Sequence, residues 1–264
     1  MVERATISSR LDQLGGPEPQ INSANWIHEL LGLSAPESVA GSIASPSPSA
    51  TGITPAAPGN PTPTAGIPKG AIDPDRTAAQ EVHKLGGTVT IVVDGQGTVS
   101  IGASDALPAT KLIVQGIDLT KCSAVTDDTL RLFTPLAKLE RLILDGTSVG
   151  DEGLLHLKEL IGLRELFLDD TRRITDRGLA ALSGMTNLTE LRLKRQQLTD
   201  AGLIRLQTLT SLEKLRIAYN TAVTDMGLPA LSKLPALRYV NAVGTAITPA
   251  GAAATKSGLK ITLQ

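Results

Sequence analysis

The chain has 264 residues, of which 41% are hydrophobic and 2% are aromatic, and its formal net charge is -1 at pH 7. This near-neutral charge gives no general reason to expect nucleic acid or an anionic membrane as a partner. Cys122 is the single cysteine, which excludes an internal disulfide framework and a thiolate metal cluster. The first residues lack the apolar segment of a secretory signal, and no later run is long enough to span a bilayer. We therefore predict a cytoplasmic protein without a membrane partner.

The N-terminal part of the sequence is expected to contain little folded structure. Residues 1–33 include one predicted short helix around Trp26, and the sequence does not indicate its role. Residues 34–72 are rich in proline, serine, threonine and alanine. Because prolines remove hydrogen-bond donors and small side chains bury little apolar surface, this composition does not offset the entropy of ordering. We predict a flexible linker there.

Residues 73–113 are predicted to form a helix followed by a β-hairpin. The segment "DPDRTAAQEVHKLGG" begins with acidic residues from Asp73 onward and stops at Gly86, as a helix does. In "TVTIVVDGQGTVSIG", two β-rich runs flank Asp94 and Gly95, a pair of residues that tight reversals prefer. Both elements precede a repeated region, and we expect them to cap its first unit.

A unit of 24 or 25 residues repeats about six times in residues 114–264. Each unit has apolar residues at its first, fourth and sixth positions, which alternate as in a strand, and a helix-like spacing follows. The unit that begins at Leu163 continues with Leu166 and Leu168 and then with Leu179. Stacked strand-helix units of this length form a solenoid with a parallel sheet. The units begin at Val114, Leu139, Leu163, Leu188, Leu212 and Leu237.

Recurring polar residues between strand and helix point to architecture. Pairs such as Thr175 and Asp176 precede each helical half, where threonine caps the helix and aspartate interacts favourably with the helix dipole. A glycine at a fixed helical position, such as Gly178, permits close packing of neighbouring turns. At the ninth position, where Cys122 lies, other units have threonine, glutamine or asparagine. We interpret this residue as an inward-facing partner of the backbone, and not as a nucleophile.

The segments "LTKCSAVTDDTL" and "LFLDDTRRITDRGLAAL" resemble the cysteine-containing leucine-rich repeat, whose pattern ends in isoleucine-threonine-aspartate. The resemblance covers about residues 114–258. It implies an α/β fold: a right-handed leucine-rich-repeat solenoid with a curved parallel sheet and helices on the convex side. Similar repeats serve as substrate-binding arms of F-box proteins in eukaryotic ubiquitin ligases, and similar arrays occur in many bacterial proteins. The resemblance thus implies recognition of other proteins.

The third, fifth, seventh and eighth positions of each unit are predicted to line the concave face of the sheet. Carboxylates of the third unit adjoin lysines and arginines of the fourth and fifth units, with aromatic residues among them. One interpretation is a solvated surface whose charges pair across strands. We favour a binding surface for a protein or peptide, since aromatic residues and arginines dominate many interfaces. The predicted site residues are Phe167, Asp169, Arg192, Lys194, Lys214, Arg216, Tyr219 and Tyr239.

No sequence motif supports catalysis. The histidines, His28, His83 and His156, lack the paired spacing of metal ligands, and we expect neither a metal nor a cofactor. The first hypothesis is a non-enzymatic, monomeric scaffold that binds a protein or peptide. The alternative is a substrate-recruiting subunit or fragment of an enzyme complex, such as a ubiquitin-ligase-like adaptor or a kinase-associated module. A third hypothesis, binding of nucleic acid by the basic residues, is disfavoured by the adjacent acids.

Overall fold

The computed structural model describes residues 73–94 and 97–264, which lie within one compact unit. The predicted N-terminal segment, 1–33, and the predicted linker, 34–72, lie outside the described residues. The strands of the described part are β1 (Thr88–Val93), β2 (Gly97–Ile101), β3 (Leu112–Asp118), β4 (Arg141–Ile143), β5 (Glu165–Phe167), β6 (Glu190–Arg192), β7 (Lys214–Arg216), β8 (Tyr239–Asn241) and β9 (Lys260–Thr262). They form one sheet in the order β2-β1-β3-β4-β5-β6-β7-β8-β9.

The first helix, α1 (Pro74–Lys84), is fixed to the beginning of the sheet. The Asp73 side chain caps it by accepting a hydrogen bond from the backbone N–H of Asp75 at 3.1 Å. Asp75 itself accepts a hydrogen bond from the backbone N–H of Val114, in β3, at 2.7 Å. Val82 on the inner side of the helix is completely buried. The helix thus covers apolar side chains at one end of the core.

The hairpin of β1 and β2 continues the sheet at the same end. Strand β1 pairs antiparallel with β2 on one side and with β3 on the other. Its alternate residues Val89, Ile91 and Val93 are buried, as the period of a strand requires. The hairpin therefore adds to the core as well as to the sheet.

Strands β3 to β9 are parallel and share one register. Leu142 lies beside Leu166, which lies beside Leu191, and the series continues along the sheet. These fourth-position side chains are completely buried in one continuous core with the leucines of the helical halves. The sequence analysis did not predict β9, which adds a seventh parallel strand, with Ile261 half-buried against the core. The predicted α/β leucine-rich-repeat solenoid is confirmed.

The helical halves are short, and parts of them are 3-10 helix. A repeat of 24 or 25 residues must form a strand, cross over and return, which leaves room for about two helical turns. The α-helices are α2 (Asp151–Leu157), α3 (Asp176–Leu179), α4 (Asp200–Arg205), α5 (Leu228–Ser232) and α6 (Pro249–Ala253). The 3-10 segments are Asp127–Phe133, Ala180–Gly184, Leu206–Thr208 and Asp225–Gly227.

The recurring aspartates join one repeat to the next as well as opening the helices. Asp151, the first residue of α2, accepts hydrogen bonds from the backbone N–H of Thr175 at 2.8 Å and from its hydroxyl at 2.6 Å. Thr175 in turn caps α3 by accepting a hydrogen bond from the backbone N–H of Arg177. A Cβ atom on Gly178 would collide with the Asp151 carboxylate. The structural interpretation of these aspartates and glycines is confirmed.

The ninth-position residues form an internal polar ladder, as predicted. Thr171 donates its hydroxyl to the carbonyl of Leu168 at 3.1 Å, and Gln196 donates its amide to the same carbonyl at 2.6 Å. Cys122 is only half-buried, and burial, followed by the charge of Asp118, raises the pKa of its thiol. Cys122 therefore lies in the ladder as a thiol, without the features of an activated nucleophile.

Candidate functional site

The face of the sheet opposite the helices, called the open face here, carries the predicted site. The register places Arg192 directly beside Arg216, since both occupy the fifth position of their units. Glu190 lies beside Lys214 in the same pair of strands, and Lys214 lies beside Tyr239 of the next strand. Charged side chains from β5 to β7 thus meet on one surface.

Glu190 is the shared anion of this surface. Its carboxylate lies 2.8 Å from Nε of Arg192, 3.5 Å from Nε of Arg216 and 3.6 Å from Nζ of Lys214. The Glu190 side chain is only 11% exposed, and burial alone would raise its pKa. The hydrogen bond from Arg192 and the charges of all three cations outweigh burial, so the pKa of Glu190 is lowered. One carboxylate therefore compensates three positive charges only in part.

Glu190 was not among the predicted site residues. The sequence did contain a signal for it. Glu190 occupies the third position of its unit, so the register places it beside Lys214, and Arg216 lies in the same strand as Lys214. Opposite charges at neighbouring positions of parallel strands predict an ion pair. The shared contact with two further arginines depends on side-chain conformations that spacing does not reveal.

The prediction that Phe167 belongs to the exposed binding surface is wrong. It was expected to provide exposed apolar contact, but it is only 3% exposed. The guanidinium carbon of Arg192 lies 3.7 Å from the centroid of its ring, and that of Arg141 lies 5.2 Å away. Both cations cover the ring through cation–π contacts. Phe167 therefore supports Arg192 from below and is not itself available to a partner.

Tyr219, by contrast, is 45% exposed. Its ring lies beside two cations, with the guanidinium carbon of Arg195 at 4.9 Å and Nζ of Lys194 at 5.6 Å from its centroid. On the other side is Gly244, where a Cβ atom would come within 2.8 Å of Cδ1 of the tyrosine. The absence of a side chain at Gly244 therefore makes room for the ring, which has a defined orientation on the surface.

Two carboxylates in the acidic part of the open face accept hydrogen bonds from backbone N–H groups. Asp145 accepts a hydrogen bond from the backbone N–H of Asp169, and Asp169 accepts one from that of Lys194, both at 2.7 Å. Burial raises the pKa of Asp145 to about 6, and the hydrogen bond from Asp169 offsets this only in part. Burial also raises the pKa of Asp169. Asp170 forms an ion pair with Arg195 at 3.1 Å.

Four of the eight predicted site residues meet at one shallow depression of about 280 Å³. Its apolar lining comes from Ala218 and Val243, and Asn241 adds an amide. Arg192 and Lys214 are connected to it through Glu190, whereas Phe167 lies beneath Arg192 and Tyr239 is half-buried beside Lys214. The four predicted residues in the lining are Asp169, Lys194, Arg216 and Tyr219.

Within residues 73–94 and 97–264, no group of three or more histidine, cysteine, aspartate or glutamate side chains could hold a metal ion. His83 and His156 lie in separate helices, α1 and α2, while His28 lies outside the described residues. No helix in the described part of the chain is long and apolar enough to cross a membrane.

The repeat register, the buried leucine core and the open face define a leucine-rich-repeat type of repeat protein. A scan of protein-family models finds no match, and a search of curated proteins finds none of significant similarity. Among solved structures, an internalin (inlF) of Listeria monocytogenes is 24% identical with a TM-score of 0.43, and the match covers 53% of this chain and 40% of that one. An internalin C2 (inlC2) of the same species is 20% identical with a TM-score of 0.40, covering 60% and 87%.

A chain of the yeast Rad7 and Elc1 complex is also similar, at 16% identity and a TM-score of 0.41. That match covers 53% of this chain and 44% of the yeast chain. The protein therefore matches less than half the length of inlF and of the yeast chain. The assignment to the repeat class follows from the geometry of the chain itself.

Proposed function

We propose that the chain is a non-enzymatic scaffold that binds a protein or peptide on the open face, the predicted concave side of the solenoid. The observation that carries this proposal is Tyr219, a large aromatic side chain held in the left-handed region at φ 62°. Aromatic residues and arginines are enriched in protein interfaces, and both line the depression here. A pre-oriented ring beside cations suits such a surface.

The fold does not require a tyrosine at this position. The equivalent eighth position of the other repeats has positive φ as well, and the residues there are Lys121, Gly146, Asp170, Arg195 and Gly244. Glycine adopts this conformation freely, whereas a bulky residue does so at a cost of about 1 kcal/mol or more. Positive φ is a property of this position in every repeat, and Tyr219 differs from its equivalents in presenting an exposed aromatic ring there. Simple charge pairing across the strands does not account for an exposed aromatic ring.

The alternative role, as the substrate-recruiting subunit of an enzyme complex, would use the same face. Cys122 at the ninth position supports assignment to the cysteine-containing repeat subfamily, for which the adaptor role is the expectation. A free, half-buried thiol also fits the reducing environment of the cytoplasm, which remains our proposed location. The identity of a captured partner distinguishes a free-standing scaffold from an adaptor.

Site-specific photo-crosslinking tests the proposal. A photoreactive amino acid is placed in the full chain either at Asn241, which lines the depression, or at Arg205, which is exposed on helix α4. We expect a partner from the native extract to be crosslinked at position 241 and not at position 205. Crosslinking of the same partner from position 205 alone would assign binding to the helical side instead.

A further inference from the structure

We infer that the partner segment is acidic, and that Lys194 and Arg216 bind one of its carboxylates in the depression beside Tyr219. This inference rests on the proposed binding function and names the chemistry of the partner. It follows from the balance of charges on the open face, from the surroundings of Arg216 and from the apolar lining of the depression.

Positive charges are in excess where the strands β5 to β7 end. Three of the five cations share Glu190, and the other two, Lys194 and Arg195, share Asp170 at 4.0 and 3.1 Å. With Asp169 and Asp145 included, whose charges also act on Lys194 and Arg192, five cations face four carboxylates, so one positive charge is uncompensated. The cations are Arg192, Lys194, Arg195, Lys214 and Arg216.

The charge of Arg216 is only partly compensated by its neighbours. Its anionic neighbour, Glu190, is 3.5 Å from Nε and already accepts a shorter hydrogen bond from Arg192. Within the described residues, this buried Nε has no hydrogen-bond acceptor. The Arg216 side chain is nevertheless 38% exposed and lines the depression. A guanidinium in this state is suited to a carboxylate, which it can bind through two parallel hydrogen bonds.

The remaining lining favours an acidic residue with apolar neighbours. Ala218 and Val243 contribute apolar surface, and the ring of Tyr219 forms one side of the depression. A basic segment would meet like charges at Lys194 and Arg216, which disfavours it strongly. A carboxylate near the cations and an aliphatic group against the ring would use both parts of the surface.

An extended polyanion fits this surface less well. Strands are about 4.8 Å apart, so the cations of β6 and β7 and their following turns cover a width of roughly 10 Å. Beyond them, on the side of β4, lies the carboxylate of Asp145, and the carboxylate of Asp169 lies at the depression itself. These would repel further phosphates of a nucleic acid strand. The cationic area therefore matches a few residues of an acidic peptide.

Fluorescence anisotropy with defined peptides tests the inference on the full chain. The probe is a fluorescein-labelled peptide of alternating glutamate and valine, and the matched control replaces each glutamate with glutamine. At about 0.01 M salt, where the screening length is roughly 30 Å, weak charge interactions are measurable. We expect the glutamate peptide to bind about tenfold more tightly than the glutamine peptide, because charged hydrogen bonds are stronger than neutral ones.

Three variants locate the binding. Arg216→Ala and Lys194→Ala are each expected to weaken binding of the glutamate peptide about fivefold or more. Arg205→Ala removes the same charge from the helical side and is expected to change it less than about twofold. Thermal unfolding of each variant shows that the fold is retained. Two variants are used so that a folding defect in one does not decide the result.

Several outcomes would overturn the inference: equal binding of the two peptides, no binding of either, unchanged binding by both site variants, or an equal loss in Arg205→Ala. Tighter binding of a single-stranded oligonucleotide of the same length would assign the surface to nucleic acid instead. If a partner crosslinks from Asn241 but the peptides bind equally, only the acidic preference fails. Crosslinking from position 205 alone would remove the proposed function as well.

Discussion

The carboxylate of Asp176 accepts two hydrogen bonds from Thr199 of the next repeat, from its backbone N–H at 2.9 Å and from its hydroxyl at 2.6 Å. The same Thr199 caps helix α4 by accepting a hydrogen bond from the backbone N–H of Ala201 at 3.2 Å. One aspartate therefore fixes both the spacing of two repeats and the start of a helix. Because solenoid repeats contact mainly their neighbours, such contacts contribute directly to cooperativity.

Replacing this aspartate should destabilise the array. We expect Asp176→Ala to lower the free energy of unfolding by about 1 to 2 kcal/mol, because both groups of Thr199 lose their acceptor. Urea unfolding followed by circular dichroism measures the effect. Asp128→Ala is the matched control, since Asp128 is exposed and, within the described residues, forms an ion pair only with Arg131, at 3.5 Å, so its loss should be below about 0.5 kcal/mol. Equal effects in both variants would contradict a linking role.

The glycine that follows this contact should be coupled to it. A Cβ atom on Gly202 would collide with the Asp176 carboxylate, so we expect Gly202→Ala to cost about 2 kcal/mol. In the double variant with Asp176→Ala the collision is absent, and the combined loss should be smaller than the sum. Gly184→Ala, where nothing lies within 4 Å of an added Cβ, provides the control and should be near neutral. Additive losses in the urea experiment would show that the glycine serves another purpose.

These elements were accessible from the sequence because they recur. The period fixes which residues share a register position, so the strands, the capping pairs and the polar ladder follow from six aligned units. Strand β9 was missed because residues 260–262 show too little of a unit for its period to be recognised. The repeat pattern thus predicts complete units better than partial ones.

The candidate site was less predictable because it depends on contacts between repeats. Alternation correctly places Phe167 on the open face, yet the burial of its ring comes from Arg192, which lies 25 residues later. Glu190 likewise acquires its role from cations in two strands. Long side chains choose among several conformations, and spacing alone does not determine which of them they adopt.

The pH dependence of stability should reveal the ionisation of the half-buried Asp145. Its pKa is raised to about 6 in the folded protein, so the folded state favours the neutral carboxyl. This contribution to stability is fully present below the ordinary pKa of an aspartate and is lost as the pH rises through about 6. Asp145→Asn can still accept the hydrogen bond from Asp169 without ionising. We expect the variant to be more stable than the wild type by about 1 kcal/mol at pH 7.5, after allowance for partial solvent exposure.

At acid pH, the free energies of unfolding of the wild type and Asp145→Asn should become more similar. At pH about 4.5 the Asp145 carboxyl is mostly neutral in the folded protein, so the variant should lose most of its advantage. Urea unfolding at both pH values gives the comparison. A variant that is less stable than the wild type at pH 7.5 would show that the charge of Asp145 stabilises the fold.

Replacing Tyr219 should weaken peptide binding with little effect on stability. Asparagine tolerates the left-handed conformation better than tyrosine does, so Tyr219→Asn should keep the free energy of unfolding within about 1 kcal/mol of wild type. The same change removes the exposed ring and should weaken binding of the glutamate-valine peptide about fivefold or more. Anisotropy and thermal unfolding are measured on one preparation. Unchanged peptide affinity would exclude the ring from the contact.

The two neighbouring arginines should behave differently when each is replaced with alanine. Arg192 covers Phe167 at 3.7 Å and donates the shortest hydrogen bond to Glu190, so Arg192→Ala exposes an aromatic ring and weakens the pairing of a buried carboxylate. We expect a loss of about 1 to 2 kcal/mol in the free energy of unfolding. Arg216→Ala removes only the 3.5 Å contact with Glu190 and should cost less than about 1 kcal/mol, while having the larger effect on binding of the acidic peptide. Urea unfolding and anisotropy of both variants give the test. Equal losses of stability would show that Arg192 and Arg216 are equivalent surface charges and that the contact between Arg192 and the Phe167 ring does not stabilise the fold.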